Sequence, residues 1–407
     1  SHDWLPCSSP RVHPCEQVEN KQSPRQASYG GSLLASVCSP ALRIVTLSLP
    51  LIDVHTHMYL PRYVALLRAR QKLPRIVSRA GGDRLIILPD EEADTSTSAG
   101  RPIGGEFHEV KRKLAFMDHH GIAVSVISSA NPWIDFVEPE EAPALAAELN
   151  DDLEAICASS AGRLLGFGVL ALQRPETCAA ELKRIAGHSH MRGVIIGSAG
   201  RGKGLDDPAF EPIWKAAADT GLFVFIHPHY GIGHGLFPDT GHALMLALGF
   251  TFETSIAVSL LILRGALERH PGLKLLIAHA GGTLPYLAGR LDSCVKNDIS
   301  KDFGLPHPPS HYLRQCWYDS IAYHGPALAA LEAFADPAKI MFGTDHPFFR
   351  PHVTDDVLDK TTWPSPEENL QALSSLAADR RKAIAYENGL VAFGIALPAH
   401  MHAAQAT

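Results

Sequence analysis

The chain has 407 residues, with 36 Lys+Arg against 43 Asp+Glu and a formal net charge of −7. At 46% hydrophobic and 19% charged it carries ample material for a globular core, and it lacks the basic blocks with which proteins grip nucleic acid. Seven Cys without repeated C-x-x-C spacing argue against a disulfide scaffold and for a reduced compartment, the cytosol, and no uninterrupted apolar run reaches the roughly 18 residues of a membrane helix.

Residues 1–48 are polar, rich in Pro and Ser, and without helical or strand periodicity, so they are expected to be a disordered extension. Their excess of Arg and Lys also fits a degenerate targeting segment. From residue 49 a rhythm of short apolar runs and longer helical patterns begins. The runs are LPLIDVH (49–55), IAVSVISSA (122–130), LLGFGVLAL (164–172), RGVIIGS (192–198), LFVFIHP (222–228), LKLLIAH (273–279), CWYDSI (316–321) and KIMFGTD (339–345). Helical patterns lie at 109–121, 140–163, 175–186, 207–221, 253–270, 282–296, 325–335 and 366–394. Eight strands alternating with eight helices predict an α/β fold, a (β/α)8 TIM barrel spanning 49–400 as one domain. Two segments, 58–108 and 229–252, exceed the usual βα loop of about 2–6 residues. Both follow strand C-termini, the face where barrel enzymes build their sites, and 58–108 is expected to act as a lid over the mouth.

His55-Thr56-His57 closes the first strand, and residues i and i+2 of a strand point the same way. His227 closes the fifth strand, His279 the sixth and Asp345 the eighth. Ionisable side chains at the ends of four inward-facing strands converge on one volume. Imidazoles and a carboxylate are suitable ligands for Zn2+, and a catalytic zinc site keeps a position open.

The motifs I-D-V-H-T-H, H-P-H-Y, A-H-A-G-G and G-T-D-H-P-F, in that order over residues 50–396, resemble the metal-dependent decarboxylase branch of the amidohydrolase superfamily. That branch contains aminocarboxymuconate-semialdehyde, γ-resorcylate-type and uracil-5-carboxylate (isoorotate) decarboxylases. Resorcylate-type enzymes generally carry an acid where this chain has His55. S-A-N-P-W (129–133), G-R-P (100–102) and G-K-G-L-D-D-P (202–208) are most similar to the isoorotate enzymes.

The resemblance implies one Zn2+ per chain, held by His55, His57, His227 and Asp345, with His279 beside it, and a homodimer. Gly197-Ser198 stands where binuclear relatives carry a Lys, which implies a single metal. The implied activity is non-oxidative removal of CO2 from a planar unsaturated or heteroaromatic carboxylate, with uracil-5-carboxylate leading. Asp345 would protonate the ring carbon and His279 would relay or hold the proton. A carboxylate beside a cation is a weak acid, so that role requires a proton supply. Arg101 suits a carboxylate or ring carbonyl, and Asn131 either pairs with an amide edge or forms the turn before Pro132. Phe250 and Phe348 either wall the ring or belong to the core, as does Trp133. His229 is a second-choice ligand or a substrate contact, and Lys203 a solvated loop charge. Two other activities share these parts: decarboxylation of a muconate semialdehyde, and zinc-dependent hydrolysis of a lactone or cyclic amide.

Overall fold

The computed structural model describes residues 49–88, 91–92, 100–200, 202–237 and 240–398; the expectations for residues 1–48 lie outside them. Eight strands form one sheet: β1 (Leu51–His57), β5 (Ile122–Ser128), β6 (Leu164–Gly168), β7 (Met191–Gly197), β8 (Phe223–His227), β9 (Lys274–Ile277), β10 (Trp317–Asp319) and β11 (Ile340–Met341). They lie side by side in chain order and pair in parallel, the order of a (β/α)8 barrel. Val, Ile, Leu and Phe dominate these runs because a parallel strand covered by helices buries both faces, and β1, β5, β6 and β8 are buried at every position.

All eight predicted strands are present. The last is shorter than its sequence pattern, with only Ile340 and Met341 in ladder geometry. Beyond them the chain closes the barrel through single backbone bonds: Val54 N–H donates to Phe342 O (2.9 Å), Asp345 N–H to His55 O (2.8 Å) and His57 N–H to His346 O (2.7 Å). Gly343 lets this segment approach β1, since a Cβ there would lie 3.0 Å from His55 Cβ.

Two predicted helices break. The pattern at 253–270 divides into Phe250–Leu263 and Ala266–Arg269 because Gly265 takes a left-handed φ of 76°. The pattern at 366–394 divides into Pro364–Ser374 and a second stretch from Ala378, where Ala377 is extended at ψ 151°. The first insertion has its own structure: helix Pro61–Ala69 and an antiparallel sheet of β2 (Arg75–Arg79), β3 (Gly82–Ile86) and β4 (Arg101–Pro102). The second leads through a π-helical turn, Met245–Gly249, into helix Phe250–Leu263.

Met245–Leu263 is long and apolar enough, by length and composition, to cross a membrane, although no single run in the sequence shows it. Its inner side packs on the barrel, with Val258, Leu261 and Ile262 buried, and it contributes a buried carboxylate, Glu253.

Gly193 sits where β7 passes β8, and a Cβ there would lie 2.1 Å from the carbonyl oxygen of Phe223. Backbone cannot yield as a side-chain tip can, so Gly193→Ala is expected to destabilise the fold by about 1–3 kcal/mol. Urea denaturation reads this as a lowered midpoint with an unchanged slope.

Candidate metal centre and the groups around it

β1 and β8 deliver His55, His57 and His227 to the C-terminal end of the barrel, as strand parity predicts. His279 and Asp345 lie two and four residues beyond the ends of their strands, and both take a left-handed φ, 55° and 57°. Such geometry in a non-glycine residue costs about 1–3 kcal/mol and persists only where the surroundings fix it. Backbone bonds do so here. Asp345 N–H donates to His55 O, and His279 N–H donates to the Asp319 carboxylate (2.9 Å).

One ligand atom each from His55, His227, His279 and Asp345 lies within 4.8 Å of all the others. His57 adjoins them, its Nε2 3.1 Å from His55 Nε2 and 3.4 Å from Asp345 Oδ1. The opposite ring nitrogens of three histidines are engaged elsewhere. His55 Nδ1 meets Asp319 Oδ2 at 2.6 Å, His57 Nδ1 meets Ser128 Oγ at 3.1 Å, and His227 Nδ1 donates to Pro228 O at 2.9 Å. Each bond turns Nε2 toward the shared space, the orientation found in metal-ligating histidines. His227 Nε2 and Asp345 Oδ1 are buried there without a hydrogen-bond partner. Such groups are costly to bury unless something else satisfies them, and a divalent cation does. The residues fit a metal, and His55, His227, His279 and Asp345 form a metal-binding site.

The proton affinities of the metal-free site follow from the same geometry. Burial would lower His55, but the Asp319 hydrogen bond and then Asp345 outweigh it and push the imidazole up to about 10. Burial pushes His57 down to about 4 and His227 well below the usual imidazole value. Asp345 stays well below the ordinary carboxylate range, because the facing imidazoles of His279, His55 and His57 favour its charged form strongly enough to overcome its burial.

Arg101 and Asn131 come together. Arg101 donates to Asn131 Oδ1 (3.0 Å) and to the Tyr59 hydroxyl (2.8 Å), and its guanidinium lies 4.8 Å above the Phe348 ring. Asn131 Nδ2 donates to His229 O (2.6 Å). The Asn131 side chain thus keeps one lone pair and one N–H beyond its protein contacts. Phe348 stands edge-on to His57 with ring centroids 5.4 Å apart. Phe250 packs beside Gly231 in the second insertion and makes no ring contact with the cluster among the described residues. His229 points to Asp135, its Nε2 2.9 Å from Oδ2, and stacks on Tyr230. Trp133 fills the space beside Gly197, where a Cβ would lie 2.6 Å from the indole.

Sequence reasoning missed four supporting groups. Asp319 ends β10 and accepts from His279, Ala280 and Ile321 N–H as well as meeting His55. An acid at the C-terminal end of a barrel strand was the available signal. Ser128 braces His57 from β5. Glu253 bonds Ser198 and accepts from His229 and Gly231 N–H. Lys113 is fully buried in helix Val110–His119, on the same helical face as Phe116 and Met117, a register that betrays it. Burial pushes its ammonium down to about 7 and the nearby Asp53 carboxyl up to about 6. A cleft of about 570 Å³ lies elsewhere, lined by Leu260, Arg264, Arg269, Lys301 and Phe303, and holds none of these groups.

A family model described as amidohydrolase matches residues 52–395, and the chain belongs to that family. It is 31% identical over 239 residues to 2-amino-3-carboxymuconate-6-semialdehyde decarboxylase of Dictyostelium discoideum, across 58% of this chain and 66% of the relative. The apo crystal structure of Metarhizium anisopliae IDCase is similar with a TM-score of 0.80 and 37% identity, covering 85% of this chain and 97% of that one. A mutant 5-carboxyvanillate decarboxylase of Novosphingobium aromaticivorans with bound manganese shares the fold at a TM-score of 0.69 and 21% identity, over 85% of this chain and 97% of that one.

Metal and proton compete for the same nitrogens. Across neutrality, below its pKa of about 10, His55 of the metal-free site holds a proton that an incoming ion displaces. Zn2+ affinity is therefore expected to rise about tenfold per pH unit across neutrality and to weaken as pH falls. Calorimetry in buffers of different ionisation enthalpy should count about one proton released per ion; none released would refute this charge state.

Proposed function

We propose that this amidohydrolase is a zinc-dependent, non-oxidative decarboxylase that converts uracil-5-carboxylate (isoorotate) to uracil. The observation that carries the reading is the cluster of three imidazoles and a carboxylate, in which one ligand atom from each of His55, His227, His279 and Asp345 lies within 4.8 Å of the others. The similarity to Metarhizium IDCase, 37% identical over 85% of this chain, supports the reading.

In this reading the adjoining His57 takes the place of His279 among the ligands, so that His55, His57 and His227 hold a single Zn2+ with Asp345, and His279 stands against Asp345 as its proton partner. The indole of Trp133 leaves no room for a side chain, a bridging lysine included, at Gly197, which supports one ion. When bound, the ion supplies Lewis acidity that orients the substrate carboxylate and a neighbouring oxo group and withdraws charge from them. Arg101 offers its remaining N–H groups to a carboxylate or ring carbonyl, and Asn131 its free lone pair and N–H to an amide edge. The Phe348 ring lies between Arg101 and His57 and walls the substrate plane.

Asp345, held well below the carboxylate range, is a poor acid unaided. His279 Nε2 lies 3.7 Å from Asp345 Oδ2, and its side chain is partly open to solvent, so it passes a proton to Asp345 and regains one from water. Asp345 delivers that proton to the ring carbon bearing the carboxylate. The C–CO2 bond then breaks, its electron pair restores the ring, and CO2 leaves.

The Dictyostelium relative favours a second reading within the same chemistry, decarboxylation of the muconate semialdehyde. Hydrolysis of a lactone or cyclic amide by the same groups would yield a ring-opened product and no CO2.

The reading includes a homodimer. Phe252 and Ile256 on helix Phe250–Leu263 and Tyr286 on helix Leu284–Asn297 expose apolar surface, and Ser255 and Thr283 join the two segments at 2.8 Å. Light scattering is expected to give two chains per particle; a monomer would remove this part.

Uracil and CO2 are expected in equal amounts from uracil-5-carboxylate with the metal-loaded chain, and neither after chelation. Asp345→Asn should keep the far-ultraviolet circular dichroism of the parent and lose turnover by at least about 100-fold, as removal of a general acid does. Bound zinc without turnover would discard this substrate and leave the muconate semialdehyde to be tried. Full activity in Asp345→Asn would discard its role as donor.

A further inference from the structure

Two chain segments that are remote in sequence supply the centre: β1 carries His55 and His57, and the turn after β11 carries Asp345. They meet at the barrel's closing seam through single backbone bonds rather than a ladder, and through the Asp53 carboxylate of β1, which accepts from Thr344 N–H at 3.0 Å and Thr344 Oγ1 at 2.7 Å. Between them stands one side chain that belongs to neither. Lys113 donates from Nζ to Thr56 Oγ1 at 2.7 Å and to His346 Nδ1 at 2.6 Å. Thr56 lies between the two β1 histidines, and His346 follows Asp345. Thr56 Oγ1 in turn donates to His346 O at 3.0 Å, so hydroxyl, imidazole and ammonium close a small ring of hydrogen bonds across the seam. His346 is clamped from the far side, stacked on Phe116 with centroids 3.6 Å apart and edge-on to Trp363 at 4.3 Å.

A fully buried ammonium is an expensive way to fill space, and the helix face around it is apolar. Its two bonds go to the neighbours of metal ligands and not to the ligands themselves. Asp345 also occupies a left-handed backbone conformation that its surroundings must hold. We propose that Lys113 is a positioning residue for the metal: it sets the distance between the His55/His57 pair and Asp345 by tying Thr56 to His346. The proposal rests on the metal reading given above and extends it to a residue outside the cluster.

Positioning and charge predict opposite signs. If Lys113 acted only as a positive charge near the ion, its removal would tighten metal binding. If it sets the ligand spacing, its removal weakens binding, and losses of about 10–100-fold are typical for groups that orient ligands. The experiment loads metal-free wild type, Lys113→Met, Thr56→Val and the double variant with Zn2+ in competition with a chromophoric chelator. Circular dichroism verifies the fold of each metal-free chain.

Wild type is expected to bind one equivalent, Lys113→Met at least about tenfold more weakly, and Thr56→Val more weakly by a smaller factor. The double variant should be no worse than Lys113→Met alone, because both changes cut the same tie. Co2+ loaded into Lys113→Met should show displaced visible bands, the sign of altered ligand geometry. Unchanged or tighter Zn2+ binding by folded Lys113→Met would overturn the proposal. Should that variant fail to fold, Thr56→Val decides, and unchanged affinity there overturns it. Wild type that binds no zinc would overturn the metal reading itself and this inference with it.

Discussion

The centre is organised by a shortage of hydrogen-bond partners. Imidazole nitrogens and a carboxylate oxygen meet in one largely buried space, and His227 Nε2 and Asp345 Oδ1 have no hydrogen-bond partner there. The surrounding structure enforces this confrontation: Asp319, Ser128 and the Pro228 carbonyl occupy the opposite nitrogens and leave the rings no alternative. Without a cation the charges compromise, with His55 holding a proton far above its usual range while His57 and His227 cannot. Left-handed backbone at His279 and Asp345 is a further cost of the arrangement. An ion that satisfies these lone pairs relieves the electrostatic conflict, so metal affinity and fold stability are linked through the same atoms.

What could be read from the sequence divides along physical lines. Features with short periods were legible: the alternation of β1, which turns His55 and His57 the same way, and the apolar runs of all eight strands. His227 followed from its place at the end of β8. Features set by tertiary closure were not. The helix expected over 366–394 has good helix formers at the break itself, Leu376, Ala377 and Ala378, yet Ala377 is extended. Asp345 was placed at a strand end but lies in a turn, held by a bond to His55 O that no local pattern encodes. The register of Lys113 marks it as facing inward, but its partners Thr56 and His346 meet only when the barrel closes.

The two sides of the centre are built by different means. The ligand side rests on strand ends and a carboxylate brace, which allow little adjustment. The opposite side is a mesh of loop groups, in which Arg101 from the first insertion, Tyr59 and Asn131 bond one another and His229 is drawn in through its carbonyl. Phe348 touches both, meeting His57 by its edge and Arg101 by its face. A barrel of this kind can retain its reaction while its loops change substrate, since the loops share few bonds with the ligands.

The closing seam also sets the timetable of the molecule's manufacture. Thr56 and His346 are 290 positions apart, and the ligands flanking them are equally remote. A ribosome releases His55 and His57 early, but their carboxylate partner appears only when little of the barrel remains to be made. Helix Asn388–Phe393 comes later still, and its Gly389 packs so closely on Ile52 of β1 that a Cβ would lie 2.9 Å from the Ile52 side chain. The first strand of the barrel therefore waits for the last helix. A chain that stops short of Asp345 has the histidines without their carboxylate, so secure possession of an ion certifies that translation reached the closing seam.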